Sequence, residues 1–234
     1  MDPEPSSALV DGHEPGLVES AVAAIKPKLR GWIHLGTFPV VLAAGIVLVA
    51  LSPGGSARVA SAVFAATAAL LFGTSALYHR GTWSPRWTGI LKRLDHSNIF
   101  LIIAGTYTPF AVTLLPSARE RTLLWLVWGG AIAGVLFRVF WVGAPRWLYT
   151  PVYIALGWVA IFYLPDFLHQ GGAGVLALIA VGGGLYTLGA VVYATKKPNP
   201  SPRWFGFHEI FHVFTVLAFV VHYVAVSMSV YPSA

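Results

Sequence analysis

Apolar runs of about 20 residues recur through this sequence, and runs of that length admit few folds. A hydrocarbon core about 30 Å thick is crossed by about 20 helical residues, and within it only helices or closed barrels satisfy every backbone polar group. The runs here are continuously apolar rather than alternating, which excludes a barrel. Charged residues make up 10% of the 234-residue chain, against about 25% in soluble domains, so lipid is the solvent for this chain. The expected fold is an all-α integral membrane protein.

Seven spans are predicted, at 33–51, 59–78, 97–115, 122–141, 147–164, 175–194 and 207–230, each bounded by Pro, Gly or charge. Basic residues near span ends set the orientation. With the amino end cytoplasmic, the inner segments hold Lys26, Lys28, Arg30, Arg80, Arg86, Lys92, Arg93, Arg138, Arg146, Lys196, Lys197 and Arg203, whereas the outer segments hold Arg58, Arg119 and Arg121. The expected architecture is a seven-transmembrane helix bundle with its amino terminus cytoplasmic and its carboxyl terminus outside. Residues 1–30 read as a mobile polar cytoplasmic tail, with no apolar core near Met1 to make a secretory signal. Residues 31–234 read as one seven-helix transmembrane domain without internal repeats.

A net charge of +6 would suggest nucleic acid as the partner of a soluble protein. No basic cluster interleaved with aromatics is present, and the charge is read instead through topology and the anionic cytoplasmic leaflet. The expected partners are membrane lipids and no nucleic acid; the sequence names no protein partner. Cysteine is absent, which rules out disulfides and thiolate metal sites, so any metal must be held by histidine and carboxylate.

The chemistry concentrates at Phe207-His208-Glu209-Ile210-Phe211-His212. Residues i and i+4 share a helix face, so His208 and His212 can present nitrogen to one ion, and the spelling His-Glu-x-x-His also matches a zincin motif. In the expected topology, His79 at the end of span two and Asp95 at the start of span three reach the same depth. Ionisable groups at a bilayer core cost roughly 2.5 to 3.5 kcal/mol each, so a cluster at one depth needs a mutual partner. Three imidazoles, His79, His208 and His212, with an open fourth position form the catalytic type of zinc site. The cofactor expected is therefore Zn2+. Asp95 either ligates directly or serves as general base, two roles the sequence leaves open. Ser75, one turn before His79, is placed to stabilise an oxyanion or orient a ligand, with a bond back to the Leu71 carbonyl as the alternative. His34 and His96 are candidates for supporting positions around the ligands. His222 lies 14 residues beyond His208, about 21 Å along the axis, and cannot bind the same ion. Glu209 is rotated about 100° from His208, which favours a structural or rim role over that of a zincin base.

Ser75-x-x-x-His79, Leu94-Asp95-His96-Ser97-x-Ile99 leading to Ala104-Gly105-Thr106-Tyr107-Thr108-Pro109-Phe110, and Phe207-His208-Glu209-Ile210-Phe211-His212 together resemble the haemolysin III branch of the progestin and adipoQ receptor family. The resemblance covers the chain from about Gly31. It implies seven helices, an inward amino terminus, an intramembrane zinc on His79, His208 and His212, and Asp95 close to the metal's water. It also implies kinship with alkaline ceramidases, which hydrolyse lipid amides, and a bacterial inner (plasma) membrane location with a role in membrane homeostasis.

The function expected is a zinc-dependent hydrolase of a lipid amide or ester, with Asp95 and Ser75 as its catalytic residues. A second reading is a non-catalytic sensor or receptor of membrane state in which zinc is structural. A pore-forming cytolysin is suggested by the family name alone, and the spans offer no polar stripe for a pore. An intramembrane metalloprotease fits the spelling of His208-Glu209-x-x-His212 but has no evident distant Asp ligand after the motif.

Overall fold

A computed structural model describes residues 27–141 and 143–231; the expected tail lies outside the described residues as far as residue 26. The helices are α1 (Trp32–Leu51), α2 (Ser56–Arg80), α3 (Pro85–Leu114), α4 (Ser117–Phe140), α5 (Arg146–Gly157) running into a 3-10 helix (Trp158–Tyr163), α6 (Leu164–Thr195) and α7 (Phe207–Val230). No strand is present among the described residues. Among the described residues six helical segments are long and apolar enough to cross a membrane, and the fifth of these, Arg146–Thr195, is 50 residues long.

That long segment doubles back on itself. The Tyr149 and Tyr193 hydroxyls, 44 positions apart, stand 3.2 Å from one another, and Trp158 Nε1 donates to Thr187 Oγ1 at 3.1 Å. Midway between the paired stretches Gly172 takes φ 76° and ψ 173°, a conformation essentially reserved for glycine, and the helix breaks there.

The third helix is the axis of the bundle. Buried residues make up 72% of its most apolar window, against 22% to 50% in the other five segments, and it touches α2, α4, α5, α6 and α7. It begins at Pro85, well before the expected start at 97, because a proline in the first turn has its φ already set for a helix and needs no partner for a missing N–H. As a result Asp95 and His96 stand on a formed helix rather than in a loop before it. Outward faces carry large apolar side chains such as Trp125, 80% exposed, and Phe140, 83% exposed. Such faces are stable where lipid, not water, surrounds them.

Local devices fix the end of the bundle where α2 finishes and α3 and α7 begin. Gly206 N–H donates to Glu209 Oε2 at 2.8 Å, capping α7, while Arg30 Nε donates to the other oxygen, Oε1, at 2.5 Å. Both carboxylate oxygens of Glu209 are thus committed to structure, in keeping with its expected structural or rim role. The segment before α1 is also tied down by Lys28 N–H to Arg203 O at 2.9 Å and Leu29 N–H to Trp204 O at 3.2 Å. It then turns into α1 at Gly31, whose φ is 83° and where an added Cβ would come within 2.7 Å of His79 Cβ. Only glycine fits a turn pressed so closely onto a site histidine.

Candidate metal centre

His79 lies in the last turn of α2, Asp95 in the third turn of α3, and His208 and His212 in the first two turns of α7. The structure brings the three histidines together: one ring nitrogen from each lies within 4.8 Å of the others. His208 Nε2 is 3.3 Å from His79 Nε2, and the His208 and His212 rings are 4.6 Å apart. Asp95 Oδ2 is 3.8 Å from His79 Nε2. The Ser75 side chain interacts with the Asp95 carboxylate and lines the same cavity as Asp95, His208 and His212.

The donor set fits a metal ion. Tetrahedral bonds of about 2.0 to 2.1 Å from nitrogen to a zinc-like ion separate neighbouring ligand nitrogens by about 3.3 to 3.4 Å, the spacing of His208 and His79. His212 is 2% exposed and its Nδ1 makes no hydrogen bond among the described residues. Three buried imidazoles crowded at one point cannot all be protonated, and neutral imidazole is the form that ligates.

His34 is buried and its ring stacks on His212, centroids 3.8 Å apart at 10°. It lies outside the three-histidine group and supports it by packing. His222 is remote from the cluster, with Nε2 3.3 Å from the Ile179 carbonyl.

Two cavities meet at this point. One, of about 230 Å3, is lined mainly by apolar side chains and reaches from Asp95, His208 and His212 to Phe110, Phe167 and His222. The other, of about 510 Å3, opens at the end of the bundle and is lined by Arg30, Lys92, Arg146 and Asn199 among others. Asp95, His96, Tyr193 and His208 line both.

Sequence reasoning missed two participants. Tyr193 carries no charge and sits in an ordinary apolar run. The sequence places Arg138 at the inner boundary of a span, yet it is 1% exposed, with Nη2 2.9 Å from His96 Nδ1. Its flanks, Phe137 and Val139-Phe140-Trp141, carried the signal, because an arginine still surrounded by apolar residues has not reached the interface.

A lipid-exposed helical bundle with three histidines gathered at one end, under an apolar cavity, defines a multi-pass membrane protein with a candidate metal centre. The chain belongs to the family described as Haemolysin-III related, whose pattern matches residues 22–223. It is similar to the protein named Hemolysin-3 homolog of Bacillus subtilis (strain 168), 37% identical over 147 residues, which cover 62% of this chain and 68% of that one. It is also similar to Hemolysin-3 of Bacillus cereus, 34% identical over 180 residues, covering 76% of this chain and 78% of that protein. A Caenorhabditis elegans protein named Progestin and adipoQ receptor-like protein 1 is 29% identical over 192 residues, covering 73% of this chain but 43% of its own length. With these bacterial relatives and its six apolar segments, the chain is a multi-pass integral protein of the plasma membrane.

Proposed function

We propose that this protein is a zinc-dependent hydrolase of lipid amides or esters acting in membrane lipid homeostasis. The observation that carries the reading is the junction of a polar mouth with an apolar cavity at the histidine cluster. An acyl chain belongs in the apolar cavity and a headgroup in the mouth, and the bond between them then falls at the cluster.

His79, His208 and His212 would hold the zinc through one nitrogen each. A bound zinc supplies a Lewis acid for the carbonyl and a nucleophilic water at neutral pH. Asp95, on a separate helix and 3.8 Å from His79 Nε2, takes the proton from the attacking water at its carboxylate and returns it to the leaving amine or alcohol. The Ser75 hydroxyl orients Asp95 or donates to the oxygen on which charge develops. The apolar walls, including Ile102, Ile103 and Phe211, exclude bulk water.

The reading includes seven crossings, an inward amino terminus and a single domain over 31–234. The 50-residue segment Arg146–Thr195 supports two crossings, because at 1.5 Å per residue it is about 75 Å long against a core of about 30 Å. The distribution of lysine and arginine supports the orientation.

A second reading, a sensor or receptor in which the metal is structural, is supported by the name of the nematode relative, a progestin and adipoQ receptor-like protein. Incubating purified protein with a panel of ceramides and acyl lipids separates the two. Hydrolysis by wild type and its loss in His208→Ala is the expected result; product formation unchanged in His208→Ala would contradict the mechanism.

A further inference from the structure

Arg138 is among the most deeply buried side chains of the bundle, and its surroundings are unusual for a guanidinium. No carboxylate pairs with it among the described residues, where the acidic partners of salt bridges are Glu209, Asp95 and Asp166. It lies 4.3 Å over the Tyr149 ring, and Nη2 meets His96 Nδ1 at 2.9 Å, while Nε and Nη1 have no hydrogen-bond partner among the described residues. Removing such a cation from water is costly, and an aromatic face with one imidazole returns only part of that cost.

The arrangement fixes the chemistry of His96. Guanidinium has donors and no acceptor, so in the contact with Arg138 the His96 Nδ1 is the acceptor. The single proton of the neutral imidazole is then on Nε2. The Tyr193 hydroxyl stands 3.4 Å from that Nε2, too far for a strong hydrogen bond, and the Lys92 backbone carbonyl is a second acceptor within reach of the ring. His96 and Tyr193 both line the two cavities where they meet, beside Asp95 and His208. Tyr153 also donates to the His96 backbone carbonyl at 3.1 Å, which ties down this turn of α3. A hydrogen-bond donor of fixed tautomer, backed by a positive charge, is therefore aimed at the junction.

We propose that His96 Nε2–H donates a hydrogen bond to the acyl oxygen of the lipid ester or amide, and that Arg138 is the positioning residue that holds the donor tautomer. The inference rests on the hydrolase reading and adds a group to it. His96 neither gains nor loses a proton; it meets the oxygen on which negative charge develops, where a fixed donor in a dry site is worth far more than in water. Arg138, behind the ring, keeps Nδ1 unprotonated and adds a favourable field.

The test uses full-length protein in lipid nanodiscs with an acyl lipid that the wild type hydrolyses. His96→Leu is expected to lower kcat by about 10²-fold, the usual effect of removing one oxyanion donor, with KM and zinc content little changed. His96→Gln, which restores an N–H at nearly the same place, is expected to recover most of that loss. In 15N spectra of histidine-labelled protein, His96 in the wild type is expected to show a bare Nδ1 and a protonated Nε2. Arg138→Met is expected to yield a mixture of tautomers. Turnover by wild type with equal kcat in His96→Leu would overturn this inference and leave the hydrolase reading standing. A protonated Nδ1 in the wild type would do the same. No turnover by zinc-loaded wild type on any lipid of the panel would overturn the hydrolase reading, and this inference with it.

Discussion

His208 Nε2 stands 3.3 Å from His79 Nε2 although 129 positions separate the two residues in sequence. The approach is made by helix ends: α2 finishes where α7 begins, and the capped first turn of α7 points its i and i+4 histidines at the same place. Two lone pairs at that distance repel unless a proton or a cation lies between them, so the geometry joins a structural fact to a chemical one.

Asp95 provides the sharpest separation between binding and catalysis. Asp95→Asn keeps the size of the side chain and removes the base. It is expected to retain zinc while lowering kcat by about 10²- to 10⁴-fold, the range for removing a general acid or base. Parallel elemental analysis and single-lipid turnover check this; full turnover in the variant would remove Asp95 from the proton path.

Arg30 and Glu209 are expected to matter for stability before activity. Glu209 is fully buried and shared between the cap of α7 and the Arg30 guanidinium. Removing one partner of a buried pair costs about 3 to 5 kcal/mol because the other charge is stranded. Arg30→Met and Glu209→Met are each expected to lower the thermal unfolding midpoint, and the double variant to lie above the sum of the two losses. Additive losses would show that the pair is not coupled.

The topology can be read chemically because the natural chain has no cysteine. Ser117→Cys, at the start of α4, is expected to react with a membrane-impermeant maleimide in intact cells. Pro200→Cys, in the loop before α7, is expected to react only after the membrane is opened. The reverse pattern would invert the proposed orientation, and labelling of both from outside would require a different number of crossings.

The sequence was informative where a single physical rule dominates. Span lengths follow from bilayer thickness, and apolar runs such as 207–230 coincide with a helix in the structure. The gathering of His79, Asp95, His208 and His212 was legible because the expected topology puts three helix ends at one depth, and the structure brings these residues together. Hydropathy failed at α3, where Arg86, Lys92, Arg93 and Asp95 read as a loop although they lie on a helix that continues into the apolar span. It also could not show that Arg138 is buried under Tyr149, since a charge near a span end is ordinarily interfacial. Contacts between distant spans, such as Tyr193 with His96, leave no periodic trace in either segment.

The most direct test of the central claim is the metal content of purified protein. Wild type is expected to carry one zinc per chain, and His79→Ala, His208→Ala and His212→Ala each to lose it while remaining folded by circular dichroism. Stoichiometric zinc retained in a folded His79→Ala variant, or folded wild type that binds no zinc when it is supplied, would contradict the three-histidine centre on which the proposed chemistry depends.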